Sequence, residues 1–132
     1  MNSPHPGIPV QVVQRAREAL DKWAAPLHGM KVALVVTPDG FEVASIQHGQ
    51  LNIMKLAAMT SSLIAMTRAV GRELQFSACR RLILDTELGS VVVHPVNAEF
   101  PTLLCVVLGP DAVLGSALWA MTEVSNYLSR SE

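Results

Sequence analysis

Residues 51 to 74, LNIMKLAAMTSSLIAMTRAVGREL, constrain the fold more than any other stretch of this chain. At helical spacing Leu56, Met59, Leu63, Met66 and Val70 form one seam, and Ile53, Ala57, Thr60, Ile64, Thr67 and Gly71 widen it to about half the circumference. The pattern predicts an amphipathic helix of roughly 36 Å, at ~1.5 Å rise per residue, with the seam turned toward its own core. On its back, where a solvated helix carries Glu and Lys, stand Ala58, Ser61, Ser62, Ala65 and Ala69, and no charge falls between Lys55 and Arg68. Small side chains let another backbone come close. A membrane span needs about 20 apolar residues; the charge-free run 56 to 67 is too short and too rich in hydroxyls, so no membrane insertion is expected. The reading is a helix packed on its own domain by one side and on another protein chain by the other. The plainer alternative is the central helix of a larger monomer core.

What surrounds this helix is bounded by size. A chain of 132 residues, half of them apolar and 16% charged, has the composition of one core-rich domain. The expected organisation is a flexible segment over residues 1 to 8, with Pro4, Pro6 and Gly7 and no periodicity, followed by a single domain over 9 to 132. A net charge of −1 implies neither nucleic acid nor an acidic membrane as partner. The distribution is less even: residues 50 to 84 hold Lys55, Arg68, Arg72, Arg80 and Arg81 against Glu73 alone. Such a surplus is ordinary solvated surface or a docking face for an acidic partner. The start MNSPHPGIPV shows neither a basic region nor an apolar run, so no secretory signal is read there and a cytoplasmic location is expected. Cys79 and Cys105 sit in apolar segments and read as small buried hydrophobes rather than a disulfide framework, with Cys79 able to bridge two subunits if it lies on an edge strand.

In chain order, Val13, Ala16, Leu20 and Trp23 recur at helical spacing after Pro9 and predict a first helix that ends near Pro26 and Gly29. KVALVVT, residues 31 to 37, is apolar on both alternating faces and predicts a strand covered on both sides. Pro38, Asp39 and Gly40 turn the chain into FEVASI, so the two strands form a hairpin. Beyond the central helix, ACRRLILDT (78 to 86) alternates as a half-exposed strand whose adjacent arginines blunt an edge. SVVVHPV and TLLCVVLG complete a three-strand meander. Gly109, Pro110 and Asp111 supply helix-start chemistry for a last helix carrying Leu114, Ala117, Leu118, Met121, Val124 and Leu128.

The predicted fold class is therefore α+β, an α/β sandwich: a five-stranded antiparallel sheet with the order helix, two strands, helix, three strands, helix. The terminal helices cover one face and the central helix the other. One helix is too narrow to cover five strands, so apolar surface remains beside it, which marks a partner site. A two-fold dimer with its central helices side by side removes the exposure.

The hairpin KVALVVTPDGFEVAS, the helix LAAMTSSLIAMTRAVGREL, and the segments RLILDTELGSVVVHPV and LLCVVLGPDAVLGSALWAMTEVSNYL resemble the roadblock/dynein light chain family, especially bacterial members related to gliding-motility GTPase regulators. The likeness spans about residues 10 to 128 in the same order and rests on the whole pattern, with no catalytic signature in it. It implies a homodimer in which the third strands, near residues 79 to 85, pair across the two-fold axis and the central helices pack together. Ala58, Ser61, Ser62, Ala65, Arg80, Leu82 and Leu84 are the interface candidates. It also implies a scaffold or regulator of a small Ras-like GTPase that reshapes its partner's active site without an arginine finger, so no catalytic residue carries over. Met54, Lys55, Arg68 and Arg72 are the candidates for touching that partner.

The residues themselves offer little other chemistry. His5, His28, His48 and His94 lack metal-ligand spacing, so no metal is expected. No Gly-rich phosphate loop occurs, and no nucleotide or other cofactor is expected to bind by such a loop. Ser61 and Ser62 have no base in sequence reach and read as close-packing residues. Arg68 and Arg72, four apart near the helix C-terminus, either complement the helix dipole or form a charged rim for an acidic partner. Met54, Met59 and Met66 read as core or dimer packing, with an adaptable partner surface as the alternative. The chain is thus read as a non-enzymatic regulator; the competing reading is a sensory module holding a small ligand between sheet and helix, for which few inward polar groups are available.

Overall fold

Two alternating patterns, one apolar on both faces and one half-exposed, set the layers of this molecule. The computed structural model describes residues 7 to 130. Helix α1 (Val10–Ala19) runs on into a π-helical turn (Leu20–Ala24) and is followed by β1 (Met30–Val36), β2 (Glu42–Gln47), α2 (Ile53–Glu73), β3 (Leu82–Thr86), β4 (Gly89–Val96), β5 (Thr102–Leu108) and α3 (Leu114–Ser129). The strands form one antiparallel sheet in the order β2-β1-β5-β4-β3. β1 and β5, whose sequences are apolar on both faces, occupy its centre and are buried almost throughout, as strands covered on both sides require.

The pleat sends alternate residues into two separate cores. Ala33, Val35, Val92, Leu104 and Val106 pack beneath α1 and α3 with Ala16, Leu20, Met121 and Val124. Val32, Leu34, Val36, Val93, Leu103 and Cys105 pack beneath α2 with Ala57 and Ile64. On the outer side, α1 and α3 are joined through Tyr127. Its hydroxyl donates to Glu18 Oε1 at 2.7 Å, and the Arg15 guanidinium lies 4.4 Å from its ring centroid while donating to its carbonyl.

α2 is seated closely because its neighbours are small. Gly40, at φ +95°, closes the β1–β2 turn, and a Cβ there would lie 3.3 Å from Ala58 Cα and 3.4 Å from Ser61 Cβ. The Ser61 hydroxyl donates to the Pro38 carbonyl at 2.5 Å. At the other end Asn52 caps the helix, its side chain accepting from Lys55 N–H at 3.0 Å. By length and hydropathy α2 would suffice to cross a bilayer, but its Ala57, Thr60 and Ile64 face is buried on its own sheet.

Three expectations are corrected. The buried face of α2 centres on Ala57, Thr60 and Ile64 rather than on the seam: Leu56 and Leu63 are half-buried, while Met59, Met66 and Val70 are exposed. The small buried residues bring the helix down onto β1, and the larger seam residues are rolled up its flank. The third strand begins at Leu82, not at residue 78, which puts Cys79 and Arg80 ahead of the edge strand. The last helix begins at Leu114 with no side-chain cap at Val113, while Gly109 to Asp111 form a turn in which Ala112 N–H donates to the Gly109 carbonyl. The anticipated flexible segment lies outside the described residues up to position 6, and Ile8 within it is buried in the core under α1.

Candidate functional site

The exposed surface of α2 divides into three strips. Along the top run Ala58, Ser62, Ala65 and Ala69, all exposed. On the flank opposite Ser61 lie Met59 (53% exposed), Met66 (68%) and Val70 (52%), with Lys55 beside them. On the Ser61 side are Met54 (82%), Arg68 and Arg72, all open to solvent. Met59, Met66 and Val70 make their flank an adaptable apolar surface of the kind that accepts a partner. The three strips follow directly from the roll of the helix. Had the seam faced inward, Met59, Met66 and Val70 would be buried.

Beside this helix the sheet ends at β3, which among the described residues pairs with β4 alone and offers its other edge unpaired. Leu82 packs against the core beneath α2, and Leu84, two residues on, shares that face and is half exposed. α2 rests on β1, β2 and β5, which leaves β3 the most exposed strand of the sheet. Of the residues read as interface candidates, Ala58, Ser62, Ala65, Arg80 and Leu84 lie exposed and Leu82 is half-buried. Ser61 differs, being engaged by its own chain's turn.

Sequence reasoning missed a cleft. The chain leaves α2 through Gln75, which takes φ +59°, and Phe76 N–H reaches back to the Gly71 carbonyl at 2.8 Å, the hydrogen bond of a Schellman ending. Residues 76 to 81 then run alongside the end of α2 and enclose, with His94, Pro95 and Asn97, a cleft of about 850 Å³. Arg68, Arg72, Arg80 and Arg81 all line it. The surplus of positive charge between residues 50 and 84 was the only signal of this in the sequence, because the two arginine pairs meet through a non-glycine turn that has no local signature. His94, opposite Arg81 where the β3–β4 register is extended by one residue, is held below the ordinary imidazole range by burial first and by the Arg81 charge second.

Chemistry elsewhere is sparse. Among the described residues no group of three or more His, Cys, Asp or Glu could hold a metal ion. The Ser62 hydroxyl donates to the Ala58 carbonyl at 3.2 Å, as mid-helix serines do. His28 Nε2 lies 3.1 Å from Asp111 Oδ2 on the surface. Cys105 is buried, which pushes its thiol up, and Cys79 is free and half-buried.

The same architecture is found in solved proteins. The gliding protein MglB of Thermus thermophilus superposes with a TM-score of 0.82 at 22% identity, covering 98% of this chain and 96% of that one. An MglB solved in a tetrameric arrangement gives the same values. MglB of Myxococcus xanthus superposes at 0.75 with 15% identity over 98% and 92% of the two chains. At such identities the likeness is one of fold. Among curated proteins none matches the sequence. The family model for the Roadblock/LC7 domain, however, matches residues 18–108, from the middle of the first helical segment to the end of β5, and the chain belongs to that family.

Proposed function

We propose that this protein is a non-enzymatic homodimer acting in the cytoplasm as a regulator or scaffold of a small Ras-like GTPase. The observation that carries the reading is the exposed row of Met59, Met66 and Val70 on a helix that the rest of the fold holds rigidly against a sheet. A monomer has no use for such a row, since each buried apolar side chain is worth about 1.5–3 kcal/mol. Continuity of this surface with the unpaired edge of β3 favours a second copy of the chain as its first occupant, joined edge to edge with the two α2 helices adjacent. The tetrameric arrangement of a fold relative and the resemblance to gliding-motility regulators support self-association and the kind of partner.

In the dimer, what remains exposed is the Ser61 side of α2 with Met54, Arg68 and Arg72, while Lys55 stands beside the row that the second copy covers. Arginine pairs bidentately with carboxylates, and methionine repacks around an apolar contact. Docking changes the GTPase only to the extent that one nucleotide state binds better than the other; a tenfold preference corresponds to about 1.4 kcal/mol. No side chain of this protein is required to enter the GTPase active site.

The test is affinity capture with the tagged protein from source-cell lysate, in parallel with a non-hydrolysable GTP analogue and with GDP. A small GTPase enriched only with the GTP analogue identifies a state-selective regulator, whose effect on hydrolysis is then measured. Equal recovery in both arms identifies a scaffold. Recovery of no GTPase in either arm refutes the proposal.

A further inference from the structure

The cleft at the end of α2 has a charge pattern that the exposed methionine row does not explain. Four arginines, Arg68 and Arg72 on α2 and Arg80 and Arg81 ahead of β3, line one concavity. Among the described residues no carboxylate lines it, and none of the four forms an ion pair with an acid. Arginines on an open surface disperse, because like charges repel and solvent separates them. Here two chain segments bring them together. The remaining wall is mixed: Val70, Phe76 and Pro95 are apolar, and Ser77, Asn97 and Ser125 carry neutral hydrogen-bonding groups. Phe76 is 70% exposed, so its ring is open to a ligand. A volume of about 850 Å³ falls in the ordinary range for small-molecule sites, about 300–1,000 Å³.

We propose that this cleft binds a small phosphorylated ligand that also carries a flat ring. The guanidinium groups take the phosphates, for which their planar forks are suited, and Phe76 with Pro95 takes the ring. The binding site extends beyond the GTPase reading, which needs only the outer surface of α2 and concerns another protein; this inference concerns what fills the space behind the arginine rim. Because Arg68 and Arg72 belong to both surfaces, a bound anion would also remove positive charge from the rim. His94 reports on occupancy: it is held low by burial and by Arg81, and an anion placed beside Arg81 offsets that charge and raises it.

The experiment uses the purified full chain with no GTPase present, so its result is independent of the GTPase reading. Binding of adenosine diphosphate, inorganic pyrophosphate and adenosine is measured by titration calorimetry, and the His94 imidazole is followed by NMR across pH with and without adenosine diphosphate. The expected result is binding of adenosine diphosphate at least threefold tighter than of pyrophosphate, no detectable binding of adenosine, and an upward shift of the His94 titration in the saturated protein. Arg72→Gln with Arg81→Gln weakens binding at least tenfold while the far-UV circular dichroism is unchanged; should the pair disturb the fold, Arg81→Gln alone carries the test and Arg81→Lys retains part of the affinity. Absence of binding by both phosphate compounds, an unmoved His94 titration at saturation, or affinity that survives removal of the arginines overturns the site. Equal affinity for adenosine diphosphate and pyrophosphate overturns the role given to the ring.

Discussion

Gln75 holds φ +59° at the end of α2, a conformation that costs an L side chain about 1–2 kcal/mol and that glycine adopts freely. The backbone hydrogen bonds that end the helix depend on it, since Gln75 and Phe76 donate to the Arg72 and Gly71 carbonyls. Gln75→Gly is therefore expected to stabilise the protein by up to about 1 kcal/mol, read as a higher midpoint in urea; a lower midpoint would mean that the Gln75 side chain contributes something its backbone geometry does not reveal. His94 makes an opposite contribution, dependent on pH. Its folded value lies below the ordinary 6.5, so below that pH the unfolded chain binds more protons, and stability is lost as pH falls from about 6.5 through the folded value. In His94→Gln this share of the acid sensitivity disappears. The drop in Tm between pH 7.5 and pH 5.5 is expected to be smaller in the variant than in the parent, and an equal drop would assign the sensitivity to other groups.

At the scale of elements, α2 carries the largest difference between pattern and structure. Its buried face is set by Ala57, Thr60 and Ile64, so Ile64→Ala is expected to cost about 2–5 kcal/mol, as removal of buried methyl groups does, measured by urea denaturation. A loss under about 1 kcal/mol would return the seam of Leu56, Met59, Leu63, Met66 and Val70 to the inside. The sequence contained both faces, because apolar residues cover more than half of this helix, and periodicity alone cannot choose which half meets the sheet. That choice is made by size: Ala57 allows approach to β1, and Gly40 allows approach of the turn to Ala58 and Ser61. The strands were legible for the opposite reason. Val32, Leu34 and Val36 alternate with Ala33 and Val35 with no polar break, and only the centre of a doubly covered sheet accommodates that pattern. The start of β3 was not legible, because Arg80 and Arg81 continue the alternation without pairing. The cleft they help to form depends on tertiary proximity, which no spacing in the sequence encodes.

For the whole molecule the question is what lies against the edge of β3 and the flank of α2. Five strands with one helix on the inner side leave Leu84 half exposed on the same face as the α2 core, beside an edge whose backbone groups beyond β4 have no sheet partner among the described residues. Natural edges of this kind are guarded by charge, a bulge or a partner. Arg80 and Arg81 stand just ahead of the strand and Asp85 near its end, but Leu82, Ile83 and Leu84 between them are apolar, so charge guards the ends and leaves the middle suited to pairing. A second copy satisfies both the edge and Leu84 at once, and antiparallel pairing about a two-fold axis places identical strands together. Leu84→Asp puts a carboxylate at the centre of that contact, opposite or next to its own copy, while in the isolated chain it sits on exposed surface and leaves both cores untouched. The parent is expected at twice the 14.2 kDa of one chain by light scattering after gel filtration, and the variant at the mass of one chain with an unchanged far-UV spectrum. A parent that already runs as a monomer, or a variant that still runs as a dimer, would move the self-association away from β3 and with it the surface left open for the GTPase.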